Sequence, residues 1–107
     1  MTKGAARDHT YYTLASWRVR PGHGNEFLRI WRDELASAFL DISPVARGTL
    51  IQSLEDPGLF YSFGPWESIE EMQQPRSDPR VSEAIDKLES LCVEAKPGPF
   101  RVVLTMP

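Results

Sequence analysis

Few side chains in this chain can do chemistry. His9 and His23 are its only histidines and Cys92 its only cysteine. Three strong nitrogen or sulfur donors, one of them at the N-terminus, are too few for a dedicated transition-metal site. Gly22-x-Gly24 has Phe27 where a dinucleotide-binding loop needs its third glycine, and no βαβ crossover precedes it. His23 could serve as a base near neutral pH, although a glycine-flanked turn is the setting of an exposed surface group. Arg18 and Arg80 could hold a phenolate or carboxylate, whereas arginines near strand ends and in first helical turns are ordinarily solvated. Tyr12 and Tyr61 could donate to a substrate oxygen. Trp66 offers a flat wall and one donor N–H; the alternative is a tryptophan that only packs a helix junction.

These residues need elements to position them. Residues 1–10 are small or polar without a period and read as a mobile tail, with His9 solvated, ahead of a domain over 11–107. Tyr11 to Arg20 is rich in β-branched, aromatic and aliphatic residues and reads as a strand, ended by Pro21, Gly22 and Gly24. Asn25 is placed to cap a helix. At 100° per residue, Phe27, Leu28, Trp31, Leu35, Ala38, Phe39 and Ile42 share a 120° arc, with Ile30 and Leu40 off it. Pro44 stops that helix. The runs Arg47–Leu54 and Leu59–Phe63 flank Glu55-Asp56-Pro57-Gly58 and predict an antiparallel hairpin. Ser68 and Glu71 form a capping box for a short helix to about Gln74. Asp78-Pro79 starts another, whose apolar arc runs Val81, Ala84, Ile85, Leu88, Leu91, Cys92 and Ala95. Pro97-Gly98-Pro99 closes it, and Phe100 to Met106 is the last strand. The order β-α-β-β-α-β predicts an α+β, ferredoxin-like antiparallel sheet with its helices on one face.

The strands are apolar on both parities. Tyr12 and Leu14 oppose Tyr11, Ala15, Trp17 and Val19; Leu59, Tyr61 and Phe63 oppose Phe60 and Trp66. Helices cover one face, so the other needs a partner, and a two-fold homodimer is the simplest one. Strand ends and loops covering that face are the alternative. Pairing Leu54 with Leu59 puts Thr49, Ile51, Ser53, Phe60, Ser62 and Gly64 on one small and polar face, shared by Trp66, that could line a cavity. Phe27 and Trp31 from the helical stripe would form the opposite wall and serve the core as well.

Composition narrows the function. With 107 residues there is room for one domain, and 41% hydrophobic with 25% charged residues is globular. A net charge of −3 lacks the basic field of a nucleic-acid binder. One cysteine allows no intrachain disulfide, no apolar run is long enough to span a bilayer, and the start lacks the apolar stretch of a secretory signal. The cytoplasm is therefore the expected compartment.

Trp17-Arg18-Val19-Arg20-Pro21-Gly22, then Glu26-Phe27 and Trp31, then Glu55-Asp56-Pro57-Gly58 with Phe60-Tyr61, and finally Trp66-Glu67-Ser68 lie in a telling order and spacing. Over about 11–104 the chain resembles the antibiotic biosynthesis monooxygenase domain family. That resemblance implies a dimeric α+β barrel with a pocket between helices and sheet in each subunit. It also implies either oxidation of an electron-rich aromatic, such as a quinol or polyketide-type phenol, by O2 without a cofactor, or a member without assigned activity. Trp66 matches the family's pocket tryptophan. Ala15 falls where haem-degrading relatives carry an asparagine, and no histidine follows Trp66, which counts against haem degradation. Direct reaction of O2 with an organic molecule is spin-forbidden, so the chemistry would be substrate-assisted: a phenol loses its proton, and its anion passes an electron to O2. The protein would then supply a dry pocket, orientation and charge stabilisation. Two other readings stand beside this one: a non-catalytic dimer that binds a hydrophobic small molecule, and a haem-binding protein.

Overall fold

The computed structural model describes residues 10–107; the expectations for residues 1–9, His9 among them, lie outside the described residues. The elements are β1 (Tyr11–Val19), α1 (Gly24–Ile30), a π-helical segment (Trp31–Ala36), α2 (Ser37–Ile42), β2 (Thr49–Gln52), β3 (Leu59–Trp66), α3 (Ile69–Gln73), a 3₁₀ turn (Gln74–Ser77), α4 (Pro79–Ser90) and β4 (Cys92–Arg101). The strands form one antiparallel sheet in the order β2-β3-β1-β4, with the helices on one face, the ferredoxin-like arrangement the element order predicts. No described helix is long and apolar enough to cross a membrane.

The core lies between the helices and the odd-numbered residues of β1. Ala15, Trp17 and Val19 are buried together with Phe27, Ile30, Leu35, Ala38, Phe60, Val81, Ala84, Leu88 and Cys92. Phe27 touches both Trp17 and Phe60, at ring-centroid distances of 5.6 and 5.2 Å.

Several local signals act as their chemistry dictates. Pro21 and Gly22 occupy the centre of a turn closed by the His23 amide donating to the Arg20 carbonyl at 3.1 Å. Gly22, at φ +84°, takes the left-handed position that a type II turn reserves for glycine. The Ser68 hydroxyl accepts from the Glu71 amide at 3.0 Å, and the Asp78 carboxylate from the Arg80 amide at 2.8 Å, each capping its helix. Asn25 does not cap α1, because the Pro-Gly turn delivers the chain into the helix at Gly24 with His23 in the cap position and no side-chain cap.

Three other expectations are corrected. The long helix is not a uniform α-helix: its central turn is π-helical. The wider i→i+5 turn shifts the phase of the stripe, so Ile30 is buried and Leu28 exposed. The second long helix ends at Ser90, and the last strand begins at Cys92 instead of Phe100. Nothing in the sequence stops the helix there; the stop is tertiary, as the Leu91 carbonyl accepts from the Arg20 amide at 2.9 Å and Cys92 pairs with Val19 to open the β1–β4 ladder. Pro97 and Pro99 fit within β4 because it is an edge strand, and prolines two apart can turn their missing amides away from β1.

The hairpin register is the third. Ser53, not Leu54, closes against Leu59, with the Ser53 amide donating to the Leu59 carbonyl at 2.9 Å. The Ser53 hydroxyl accepts from the amides of Glu55 and Asp56 at 3.1 and 3.0 Å. That cap starts the loop one residue early and leaves Leu54 fully exposed at its tip. A one-residue slip turns every β2 side chain over. Leu50, paired with Ser62, faces the helices, while Thr49 and Ile51 face away.

Candidate active site

Between the helical layer and the sheet lies a cavity of about 330 Å³, within the size range of small-molecule sites. Its sheet floor comes from β1 and β3, with Thr13, Ala15, Trp17, Ser62, Gly64 and Trp66. Its roof comes from the π segment and the helices, with Trp31, Leu35, Phe39, Met72 and Ile85. All three tryptophans of the chain line it.

The two floor tryptophans are fixed by cross-strand hydrogen bonds. Trp17 Nε1 donates to Ser62 Oγ at 3.0 Å, and Trp66 Nε1 donates to Thr13 Oγ1 at 3.3 Å. Both bonds run diagonally between β1 and β3, a geometry the register provides because Ala15 pairs with Ser62 and Thr13 with Gly64. Each hydroxyl accepts from an indole and keeps its own O–H proton. Neither donates to an acceptor among the described residues, so both protons are available to an oxygen in the cavity. Phe39 packs against Trp66 at a centroid distance of 6.1 Å.

Trp31 differs from its two counterparts. Its Nε1 is buried and has no hydrogen-bond partner among the described residues, and it opens the π segment. An unpaired buried donor carries a desolvation cost of about 1–3 kcal/mol, and π turns occur disproportionately at functional sites.

The cavity's described lining contains no Asp, Glu, His or Cys; its only ionisable side chains are Arg47 and Arg76. Arg47 precedes β2. Its carbonyl lies where any β-carbon on Gly64 would have to go, so glycine at 64 is what lets this loop close against β3. Arg76 follows the buried Pro75 in the 3₁₀ turn.

Among the residues picked out from sequence, Trp66, Trp31, Ala15 and Ser62 meet in this cavity. Phe27 and Phe60 lie behind Trp17 in the core and do not line it. Thr49 and Ile51 are on the outer face, through the register slip. Arg18 is on the outer face as well, one residue out of phase with Trp17, where it pairs with Asp56 at 2.8 Å and ties the hairpin loop to β1. That carboxylate, and its hydrogen bond foremost, raises the Arg18 pKa. Arg80 is held by Asp41 and Asp78 at 2.8 and 3.1 Å on the outer side of the helices, and His23 sits in its exposed turn. None of these three reaches the cavity. Sequence reasoning missed Arg47 and Arg76, which stand in irregular segments with no periodicity to aim them. It also missed Met72, to which it gave no role, and Ile85, which it read only as part of an apolar helical arc.

The model of the antibiotic biosynthesis monooxygenase family matches residues 10–87, and the chain belongs to that family. A search of curated proteins finds no significant match. Solved structures share the fold at low identity. SnoaB, a cofactor-independent oxygenase from Streptomyces nogalater, is 18% identical with a TM-score of 0.76 over 94% of this chain and 99% of its own. A candidate antibiotic biosynthesis monooxygenase from Caulobacter crescentus CB15 is 15% identical with a TM-score of 0.76, over 90% and 92%. A conserved protein from Methanosarcina mazei Go1 is 14% identical with a TM-score of 0.73, over 92% and 98%.

Proposed function

We propose that this protein is a cofactor-independent monooxygenase that oxidises an electron-rich phenol or quinol with O2, working as a homodimer. The observation that carries the reading is the cavity: a space of about 330 Å³ walled by three tryptophans, with two hydroxyl protons on its floor, in a chain of the monooxygenase family. That SnoaB is a cofactor-independent oxygenase with the same fold supports it.

The electron balance sets what the substrate must be. A phenol and O2 give a quinone and water, one oxygen atom going to each product; all four electrons that reduce O2 come from the phenol, and no external reductant enters. The phenol first loses its proton. Its anion passes one electron to O2, and the aryloxyl radical and superoxide combine at a ring carbon. The resulting hydroperoxide loses water to leave the new carbonyl. The aromatic walls orient the ring and shield its buried side from bulk water, and the Ser62 and Thr13 hydroxyls donate to whichever oxygen carries developing charge.

No residue of the described lining can take the phenol's proton, so that proton leaves through the mouth to water. Activity should therefore rise with pH through the substrate's own phenol pKa, and the midpoint should move when substrates of different acidity are compared. A midpoint that stays put across substrates would point to a base in the protein and contradict this mechanism.

The same lack of a proton acceptor favours a second reading, a dimer that binds an aromatic molecule without turning it over. Because every tryptophan lines the cavity, quenching of intrinsic fluorescence by a dihydroxynaphthalene under argon measures occupancy directly. Admitting air then separates the readings: O2 uptake supports the oxygenase, and saturation without uptake supports the binding protein. Haem binding is not proposed. The one described histidine, His23, stands outside the cavity, and among the described residues no imidazole reaches it.

A further inference from the structure

The neutral walls of the cavity end at two charges. Arg47 and Arg76 are exposed and line the same space. Of the other described arginines, Arg18, Arg29, Arg32 and Arg80 each hold a carboxylate oxygen at 2.7–2.9 Å, while Arg20 and Arg101, which hold none, stand outside the lining. Among the described residues neither Arg47 nor Arg76 has such a partner, in a chain with fifteen acidic residues against twelve basic ones. Their backbones are fixed. The Arg47 carbonyl is seated against Gly64, and the 3₁₀ turn bearing Arg76 is anchored by buried Pro75 and by the Ser77 hydroxyl donating to the Gln74 carbonyl at 2.9 Å.

Two unneutralised guanidinium groups at an apolar cavity with no lining carboxylate define a ligand: flat and apolar over most of its surface, with an anionic oxygen group. We propose that Arg47 and Arg76 select aromatic substrates bearing a carboxylate or an ionised phenol. The proposal rests on reading the cavity as an aromatic-substrate pocket. The planar fork of guanidinium donors matches a carboxylate in a way a lysine does not, and the apolar wall beside it lowers the local dielectric and strengthens the attraction. The arginines are specificity residues; the chemistry at the ring stays with the floor hydroxyls and O2.

Isothermal titration of the intact protein with 2-naphthoate and with the neutral 2-naphthamide tests this directly. The naphthoate should bind about tenfold more tightly, a difference of about 1.4 kcal/mol. Raising the salt from about 0.05 to 0.5 M should shrink that ratio several-fold. In the double variant Arg47→Gln, Arg76→Gln the preference should vanish while the amide binds within about twofold of the parent, and Arg20→Gln, outside the lining, should leave both unchanged. Equal affinities in the parent, or a preference that survives the double variant, would overturn the selection by arginine while leaving the pocket intact. Failure of both probes to bind would overturn the pocket and this proposal together. The probe and salt comparisons on the parent protein need no variant to fold.

Discussion

Trp31 and Trp66 present the same group under opposite constraints: one indole N–H is buried without an acceptor among the described residues and the other is bonded to Thr13. Phenylalanine at either site keeps a flat wall and removes the N–H. At position 66 a made bond is lost; at position 31 an unmet donor is removed. Trp66→Phe should therefore destabilise the protein by about 1–2 kcal/mol more than Trp31→Phe in urea unfolding. Equal losses would show that Trp31 finds an acceptor in solution. Gly64 and Gly98 form a second contrast. A methyl at 64 meets the Arg47 backbone carbonyl, whereas at 98 it meets the edge of the exposed Phe100 ring at 3.3 Å. Gly64→Ala should cost about 1–3 kcal/mol and weaken anionic ligands by displacing Arg47, while Gly98→Ala should stay within about 0.5 kcal/mol.

At the scale of elements, β4 is where sequence and structure part most widely. Its first residue, Cys92, is buried against Val19, and burial pushes its thiol above the ordinary range, with Glu89 adding to the rise and Arg20 opposing it. The thiol should resist a disulfide reagent at neutral pH and react once per chain after denaturation; rapid native labelling would mean that β4 is not docked. The order of elements, the helix caps at Ser68 and Asp78 and the inward parity of Ala15, Trp17 and Phe60 were legible because each follows from local chemistry or alternation. The end of α4 was not, since its apolar spacing runs on through Cys92 and Ala95 and only pairing with β1 interrupts it. The π turn was not either, because a stripe drawn at 100° assumes an unbroken α-helix. Of the site, Trp66, Trp31, Ser62 and Ala15 could be read, whereas the β2 register depended on a single serine hydroxyl and moved Thr49 and Ile51 to the other face. Arg47 and Arg76 lie in irregular segments that sequence patterns do not orient.

For the molecule as a whole, the described residues form a slab 51 × 33 × 17 Å, one layer of helices on one sheet. The sheet's outer face carries Tyr12, Leu14 and Phe63 with Ile51 49%, Tyr61 40% and Phe100 52% exposed. Leaving such side chains in water costs about 1.5–3 kcal/mol each relative to full burial, which supports pairing with a second copy through this face. Light scattering should give twice the chain mass, and Ile51→Asp with Tyr61→Glu should yield folded monomer, since neither side chain belongs to the core. Ion pairs around the edge set the acid limit. The guanidinium groups of Arg18 and Arg80 hold Asp56 and Asp78 below the ordinary carboxylate range, chiefly through hydrogen bonds, and Lys87 does the same for Glu34. Depressed folded-state pKa values stabilise above the unfolded values and lose that contribution as pH falls through the folded ones. The melting temperature should thus hold above about pH 5 and fall below about pH 4, less steeply in high salt. The most direct test of the oxygenase is stoichiometry: chelator-treated protein mixed with a hydroxylated naphthoate in an oxygen electrode, with no reductant added. One O2 consumed per quinone formed, without hydrogen peroxide and faster than the protein-free reaction, is the predicted result. Saturable binding of that substrate with O2 uptake no faster than in buffer would contradict it.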